Sequence, residues 1–305
     1  RAFWVKAGFT FWAVCLFSSA VSGDPTYSIA EAVAWIRFPL FAMASVFWLG
    51  RDKRFLYSML MMIGIGLVLM YCILSVEILV LGRDSGRLSW PYGDFVPGNY
   101  IAKVGLPAVA VAFAMTVSLK DRIAIFFGLF VLLSFAFVML TGERVNALIL
   151  LCGGILSGVV SRPKWDYFFV FIAITFFTIL CLLYFVPGLD FRFVWVILDE
   201  MQKGDKSDYL ATMRSGYLVF KQSPVIGIGT GNFRNMCPDI IDLSASLPCH
   251  PHPHNFYIQL LAETGVIGFM FGIIFLGSII QTCYKSSRRN RENVVVATAW
   301  VIPLA

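Results

Sequence analysis

Apolar runs about as long as a bilayer is thick recur from one end of this chain to the other, and most connections between them are short. A helix needs about 20 mostly apolar residues to cross hydrocarbon. Inside it every backbone N–H and C=O must be satisfied within the protein, which a helix does locally. Only 14% of the residues are charged and 59% are hydrophobic, against roughly 25% charged in average soluble proteins. The expected fold class is therefore an all-α polytopic membrane protein. Runs at 3–20, 29–49, 55–81, 101–118, 123–141, 145–160, 166–186, 255–281 and 292–305 make nine candidate spans. The sequence opens on Arg1 and stops inside an apolar run at Pro303-Leu304-Ala305, as a piece of a longer protein would.

Basic residues then give an orientation. One alternating set of connections holds Arg51, Lys53 and Arg54, then Lys120 and Arg122, Arg162 and Lys164, and Lys285, Arg288, Arg289 and Arg291. The opposite set holds Arg83, Arg87 and Arg144. An excess of Lys and Arg marks the cytoplasmic side, so the first set is expected inside. The net charge of +6 reflects this asymmetry and does not point to nucleic acid. Segment 187–254 then lies outside, and at that length it is a small domain. The expected organisation is a seven-span bundle over 1–186, an outside domain over 187–254 and C-terminal membrane helices over 255–305.

The outside domain carries a charged stretch from Asp199 to Asp208, an amphipathic stretch Tyr209–Gln222 and a turn-rich segment holding Gly227, Gly229 and Gly231. No Lys-Ser/Thr follows these glycines, so a nucleotide P-loop is rejected and they read as turn residues. Two or three short helices are expected here. Five of the seven cysteines lie in or beside spans, whereas Cys237 and Cys249 fall outside. An oxidising compartment favours joining that pair, which would close a short loop just before His254.

All three histidines, His250, His252 and His254, alternate with Pro251 and Pro253 immediately ahead of a span-length run. The prolines keep any helix from starting before His254, which places its imidazole on the water side of a helix mouth. Histidine takes and gives protons near neutrality. Asn255, Gln259 and Glu263 continue as a polar stripe at i+4 spacing, and polar groups at that depth normally face a cavity or a partner. Metal binding by the three histidines is the rival reading. An extended chain could converge the alternate rings, but a polyproline-type strand would splay them, and no H-E-x-x-H or C-x-x-C supports zinc.

Arg144 stands at the outer junction of two spans with almost no loop around it. It can snorkel or pair with Glu143, or its planar donor fork can take phosphate oxygens bidentately. Arg214 is the one cation centred in the amphipathic stretch, by itself a surface charge. For Arg37, Arg83 and Arg87, structural pairing is the expected role.

The pieces Thr141-Gly142-Glu143-Arg144, Arg214 ahead of the glycine-rich turn, and His252-Pro253-His254-Asn255 followed by Glu263 and Gly265-x-x-Gly268 resemble the O-antigen ligase and polymerase superfamily of bacterial envelope enzymes. The resemblance covers nearly the whole chain and implies about twelve membrane helices in an intact member, with the large periplasmic segment between the ninth and tenth. The family often has a small residue where this chain has Glu143.

The resemblance further implies a multi-pass enzyme of the bacterial inner membrane whose site faces the periplasm. It would transfer a glycan from an undecaprenyl-pyrophosphate donor to a hydroxyl of lipid A-core, using no cofactor. His254 would be the general base. Arg144 and Arg214 would hold the pyrophosphate, with His252, Asn255 and Glu143 contributing to substrate binding. No Asp-x-Asp is present in the outside domain to hold a divalent metal, so the arginines would replace it. Membrane lipids are the remaining partners expected, and no nucleic acid is. The alternatives are a polymerase with a second lipid-linked glycan as acceptor, a protein O-oligosaccharyltransferase, and a transporter. Transporters place polar groups at the bilayer midplane, whereas the candidates here cluster at the outer surface.

Overall fold

A computed structural model describes residues 3–289 except 49–51, 83–86, 94–95, 120–121, 162, 205–206 and 242–246. The expected span 292–305 and the basic residues Arg51, Arg83, Lys120, Arg162 and Arg291 lie outside the described residues. Every element within them is helical: α1 Phe3–Ala20, α2 Pro25–Ala34, α3 Arg37–Phe47, α4 Lys53–Val76, α5 Val96–Asn99, α6 Leu106–Ser118, α7 Arg122–Leu140, α8 Arg144–Val160, α9 Trp165–Phe185, α10 Val196–Lys203, α11 Asp208–Gln222, α12 Phe233–Ile240 and α13 Phe256–Arg289.

Among the described residues six helices are long and apolar enough to cross a membrane. The bent pair Val96–Val104 and Leu106–Ser118, angled at 55°, makes a seventh if it is one span. Helix α8, at 17 residues, is apolar but shorter. The chain is thus an all-α polytopic membrane protein. The bend falls at Gly105, where a Cβ would lie 2.4 Å from the Ile101 carbonyl oxygen, just ahead of Pro107.

Packing divides the chain into two compact units, one of 1–52 with 199–279 and one of 53–198 with 280–305. Hydropathy separates water from membrane, whereas packing separates bodies, so these units cut across the boundary at 186 and 187.

In the second unit α6 lies against α7, α8 and α9, and small residues let the backbones approach. The fully buried ring of Phe113 on α6 fills the space over Gly154 and Gly158 on α8, where a Cβ would meet it at 2.9 and 2.6 Å. Lipid is as apolar as the helix surface, so close packing of this kind, rather than water exclusion, holds membrane helices together. Ser157 Oγ adds a hydrogen bond to the Ala110 carbonyl at 2.6 Å, and Tyr71 donates to Ser134 Oγ at 2.7 Å while stacking on Phe137.

In the first unit α1 crosses α13 by a reciprocal arrangement. Gly8 faces the ring of Phe275, and Gly272 faces the ring of Phe11. Near its start α13 is broken at Gly265, whose φ of 64° and ψ of −172° leave the helix. The peptide groups released there are taken by the glycine-rich turn. Ile228 and Gly229 N–H donate to the carbonyls of Ala262 and Glu263 at 3.1 and 2.9 Å. In return Val266 and Ile267 N–H donate to those of Pro224 and Val225 at 2.9 and 3.3 Å.

Gly158→Val puts two methyl groups into the Phe113 ring. We expect a loss of about 1–3 kcal/mol from overpacking, read as a lower melting temperature of the purified chain in detergent. An unchanged melting temperature would show that the ring has room to move.

Candidate functional site

The segment leading to His254 is tied down on several sides. A disulfide joins Cys237 of α12 to Cys249, with Cα atoms 5.8 Å apart. Ser215 Oγ of α11 donates to the Pro248 carbonyl at 2.8 Å. Buried Pro253 sits on Gly216 of α11, where a Cβ would meet its ring at 2.9 Å and the Ile258 side chain at 2.5 Å. Beneath these ties lies a small core of Val219, Ile228, Phe233, Cys237, Ile241 and Ala262, with Leu247 packed against it.

His254 then turns the chain into α13 with a φ of 51°, the one positive value among the described non-glycine residues. A left-handed backbone at a side-chain-bearing residue costs of order 1–3 kcal/mol and persists only where its surroundings over-determine it. Asn255 follows as the helix cap. Its Oδ1 accepts from the N–H groups of Tyr257 and Ile258 at 3.0 and 3.1 Å.

The three imidazoles lie together. Ring centroids are 4.5 Å apart for His252 and His254 and 5.3 Å for His250 and His254. The splaying expected of a polyproline-type strand does not occur, because the reversal at His254 brings its ring back over the other two. Among the described residues no three His, Cys, Asp or Glu side chains are arranged to hold a metal ion. The His254 imidazole is exposed, yet partial loss of its hydration and then the neighbouring charges of His252 and His250 lower its pKa from the ordinary histidine value.

Arg214 lies on α11 one residue before Ser215 and two before Gly216, the residues that carry the histidine segment, and it is exposed. The stripe read as Asn255, Gln259 and Glu263 resolves into a cap and a pair. Gln259 Nε2 donates to Glu263 Oε1 at 3.1 Å, and Glu263 is buried.

Arg144 and Glu143 belong to the other unit. Arg144 opens α8 two residues after Gly142, whose φ is +70°, with Glu143 between them. Two further arginines gather at that turn. Arg192 Nε donates to the Gly142 carbonyl, and Arg87 pairs with Glu143 at 3.4 Å. Pairing was the role expected of Arg87. Arg192 went unnoticed in the sequence, and its only signal was a cation set between Phe191 and Phe193 after the Pro187-Gly188 turn. Arg37 rests over the ring of Phe38 at 5.1 Å, and Arg83 lies outside the described residues.

Removing the covalent tie should loosen the histidine segment. Cys249→Ser opens a loop with a sequence separation of 12, which chain-entropy arguments put at about 3 kcal/mol. Faster proteolysis between residues 238 and 253 in the folded variant is the expected outcome. Unchanged cleavage would leave Ser215 and Gly216 as sufficient anchors.

A family model described as O-antigen ligase matches residues 128–273. The match takes in Arg144, Arg214, the glycine-rich turn, His254 and the break at Gly265. No curated protein matches the chain.

Proposed function

The chain belongs to the O-antigen ligase superfamily, and from that premise we propose that it moves a glycan from undecaprenyl pyrophosphate to a hydroxyl of lipid A-core at the periplasmic face of the bacterial inner membrane. The observation that carries the reading is His254. It is exposed, set by a left-handed backbone at the start of a span-length helix and tied through Pro248, Cys249 and Pro253 to two other helices. A base for a lipid-linked substrate needs that combination of water access and fixed direction.

The chemistry follows from these residues. His254 accepts the proton of the acceptor hydroxyl as its oxygen attacks the anomeric carbon, a general-base role worth typically 10²–10⁴-fold. The bond from that carbon to the pyrophosphate breaks, and the electron pair leaves with the lipid pyrophosphate. A single displacement inverts the anomeric centre. Negative charge grows on the departing phosphate oxygens, and a planar guanidinium meets it with two parallel N–H donors. Arg214, on the helix beneath the histidine segment, is assigned that work, and Arg144 offers the same chemistry in the second unit. His252 and Asn255, on either side of the base in sequence, are assigned to substrate binding, Asn255 while its Oδ1 caps α13. Glu143, which pairs with Arg87, is assigned to substrate binding.

The Lys and Arg distribution supports the orientation, since it puts segment 187–254 opposite the cytoplasmic side. With arginines available for the phosphate charge, the reaction is proposed to need no divalent metal.

Replacing the native copy by His254→Ala tests the reading in the cell. The expected lipopolysaccharide ladder shows core without attached glycan, while lipid-linked polymer accumulates and the protein inserts normally. A core bearing a single repeat unit would assign the chain to polymerisation instead. A normal ladder would remove His254 from the mechanism.

The pH profile gives a second test. A base must be unprotonated, and His254 has its pKa below the ordinary value near 6.5. Activity should therefore be full at neutrality, with the acid limb of kcat/KM centred below pH 6.5. Replacing His250 and His252 by Gln removes the electrostatic influence of both neighbours that lowers the His254 pKa, so the limb should move up in pH. A limb that stays in place would put another group in the role of base.

A further inference from the structure

Glu263 is a charged residue type buried to 1% exposure, and the chemistry above makes no use of it. It lies two residues before the break in α13. Gln259 Nε2 donates to its Oε1 at 3.1 Å, while Oε2 is buried with no well-aligned partner among the described residues. The backbone amides of Gly231 and Phe233 face the carboxylate, and Arg234 is near enough to feel its charge. Its own carbonyl accepts from Gly229 N–H and from Ser18 Oγ, each at 2.9 Å. One residue thus joins α1, the glycine-rich turn, the start of α12 and the first section of α13.

That first section, 256–264, is only about 13 Å long at 1.5 Å per residue. Two of the bonds that would normally carry its rotation into the rest of α13, from Val266 to Ala262 and from Ile267 to Glu263, are diverted, because those carbonyls and those amides pair with the turn instead. Its rotation and height must therefore come from side contacts. Burying a carboxyl for that purpose is costly unless it is hydrogen-bonded, and an apolar residue could fill the space without fixing an angle.

We propose that Glu263 is a positioning residue that sets the rotation of helix section 256–264 against the glycine-rich turn, and so sets the direction in which the His254 imidazole faces. This rests on the reading of His254 as the base. Glu263 acts through the turn and the helix start and touches no substrate. Its carboxyl orients, through Gln259, the same face of the helix that Asn255 caps.

The test uses the full chain in lipid nanodiscs with a lipid-linked glycan donor and a core acceptor. Glu263→Ala should lower kcat by about 10²-fold, the scale of a 1 Å misplacement, with KM within about twofold. Deuterium exchange at Ile228 and Gly229 should rise together with that loss. Glu263→Gln keeps the length and the acceptor oxygen, so both kcat and exchange should return most of the way to normal. Should the alanine variant fail to accumulate, Glu263→Asp, shorter by one methylene, should show the same loss of kcat at unchanged KM.

Several results would overturn the proposal: normal kcat in Glu263→Ala or Glu263→Asp, no recovery in a well-folded Glu263→Gln, or activity falling only in proportion to folded protein. His254→Ala is run beside these variants. If it retains transfer, the base reading fails, and the exchange data alone then decide whether Glu263 fixes the turn: unchanged exchange in Glu263→Ala ends the proposal.

Discussion

The first unit depends on how the backbone groups released at Gly265 are satisfied. In hydrocarbon an unpaired N–H or C=O costs several kcal/mol, so irregular backbone survives there only where protein covers it. Here the cover is the glycine-rich turn, which supplies two donors and two acceptors in register with the gap. The fit is close enough to dictate composition on both sides. A Cβ at Gly227 would lie 2.3 Å from the Glu263 carbonyl carbon, and one at Gly265 would lie 2.3 Å from the Val225 oxygen. Both residues also have positive φ, so no side-chain-bearing residue fits either place.

Two helices of the N-terminal stretch brace that turn. Ser19 Oγ accepts from Thr230 N–H at 3.2 Å, and Ser28 Oγ donates to the Thr230 carbonyl at 2.9 Å. A segment more than 200 residues away in sequence therefore completes the hydrogen bonding of the turn. This is why 1–52 and 199–279 pack as one body although a run of spans separates them. The second unit solves a different problem, since its helices are mostly unbroken and need only close approach, which Gly153, Gly154 and Gly158 provide against Leu106 and Phe113.

How far the sequence spoke depends on the range of each interaction. Membrane helices are local in their hydrogen bonding, so length and apolarity were enough to find α1, α4, α7, α9 and α13. The same reasoning was blind to the break at Gly265, because hydropathy does not register the loss of one helical φ within an apolar run. The glycine-rich turn was legible as a turn, but its pairing with α13 is a long-range match that no spacing reveals. The cysteine pair could be read from compartment and count. Asn255 and Gln259–Glu263 were visible as one stripe at helical period, yet only the packing splits it into a cap and a buried joint. The histidine rings were misjudged because the proline pattern describes a strand, whereas the positive φ at His254 reverses the last ring. Arg192 left almost no trace, since its partner is a backbone carbonyl 50 residues away.

An exposed side chain cannot be oriented by burial of its ring, which bears on the role of base proposed for His254. For His254 the direction has to come from the backbone. The chain before it is held by Cys249, Pro248 and Pro253, and the chain after it by the Asn255 cap. Between two fixed ends a single residue absorbs the mismatch in a left-handed conformation, at a cost of order 1–3 kcal/mol. Glycine would adopt that conformation with less strain, so packing alone gives no reason for a histidine there. The strain is accounted for if the imidazole itself is what the site requires, held toward water while the helix behind it enters the membrane.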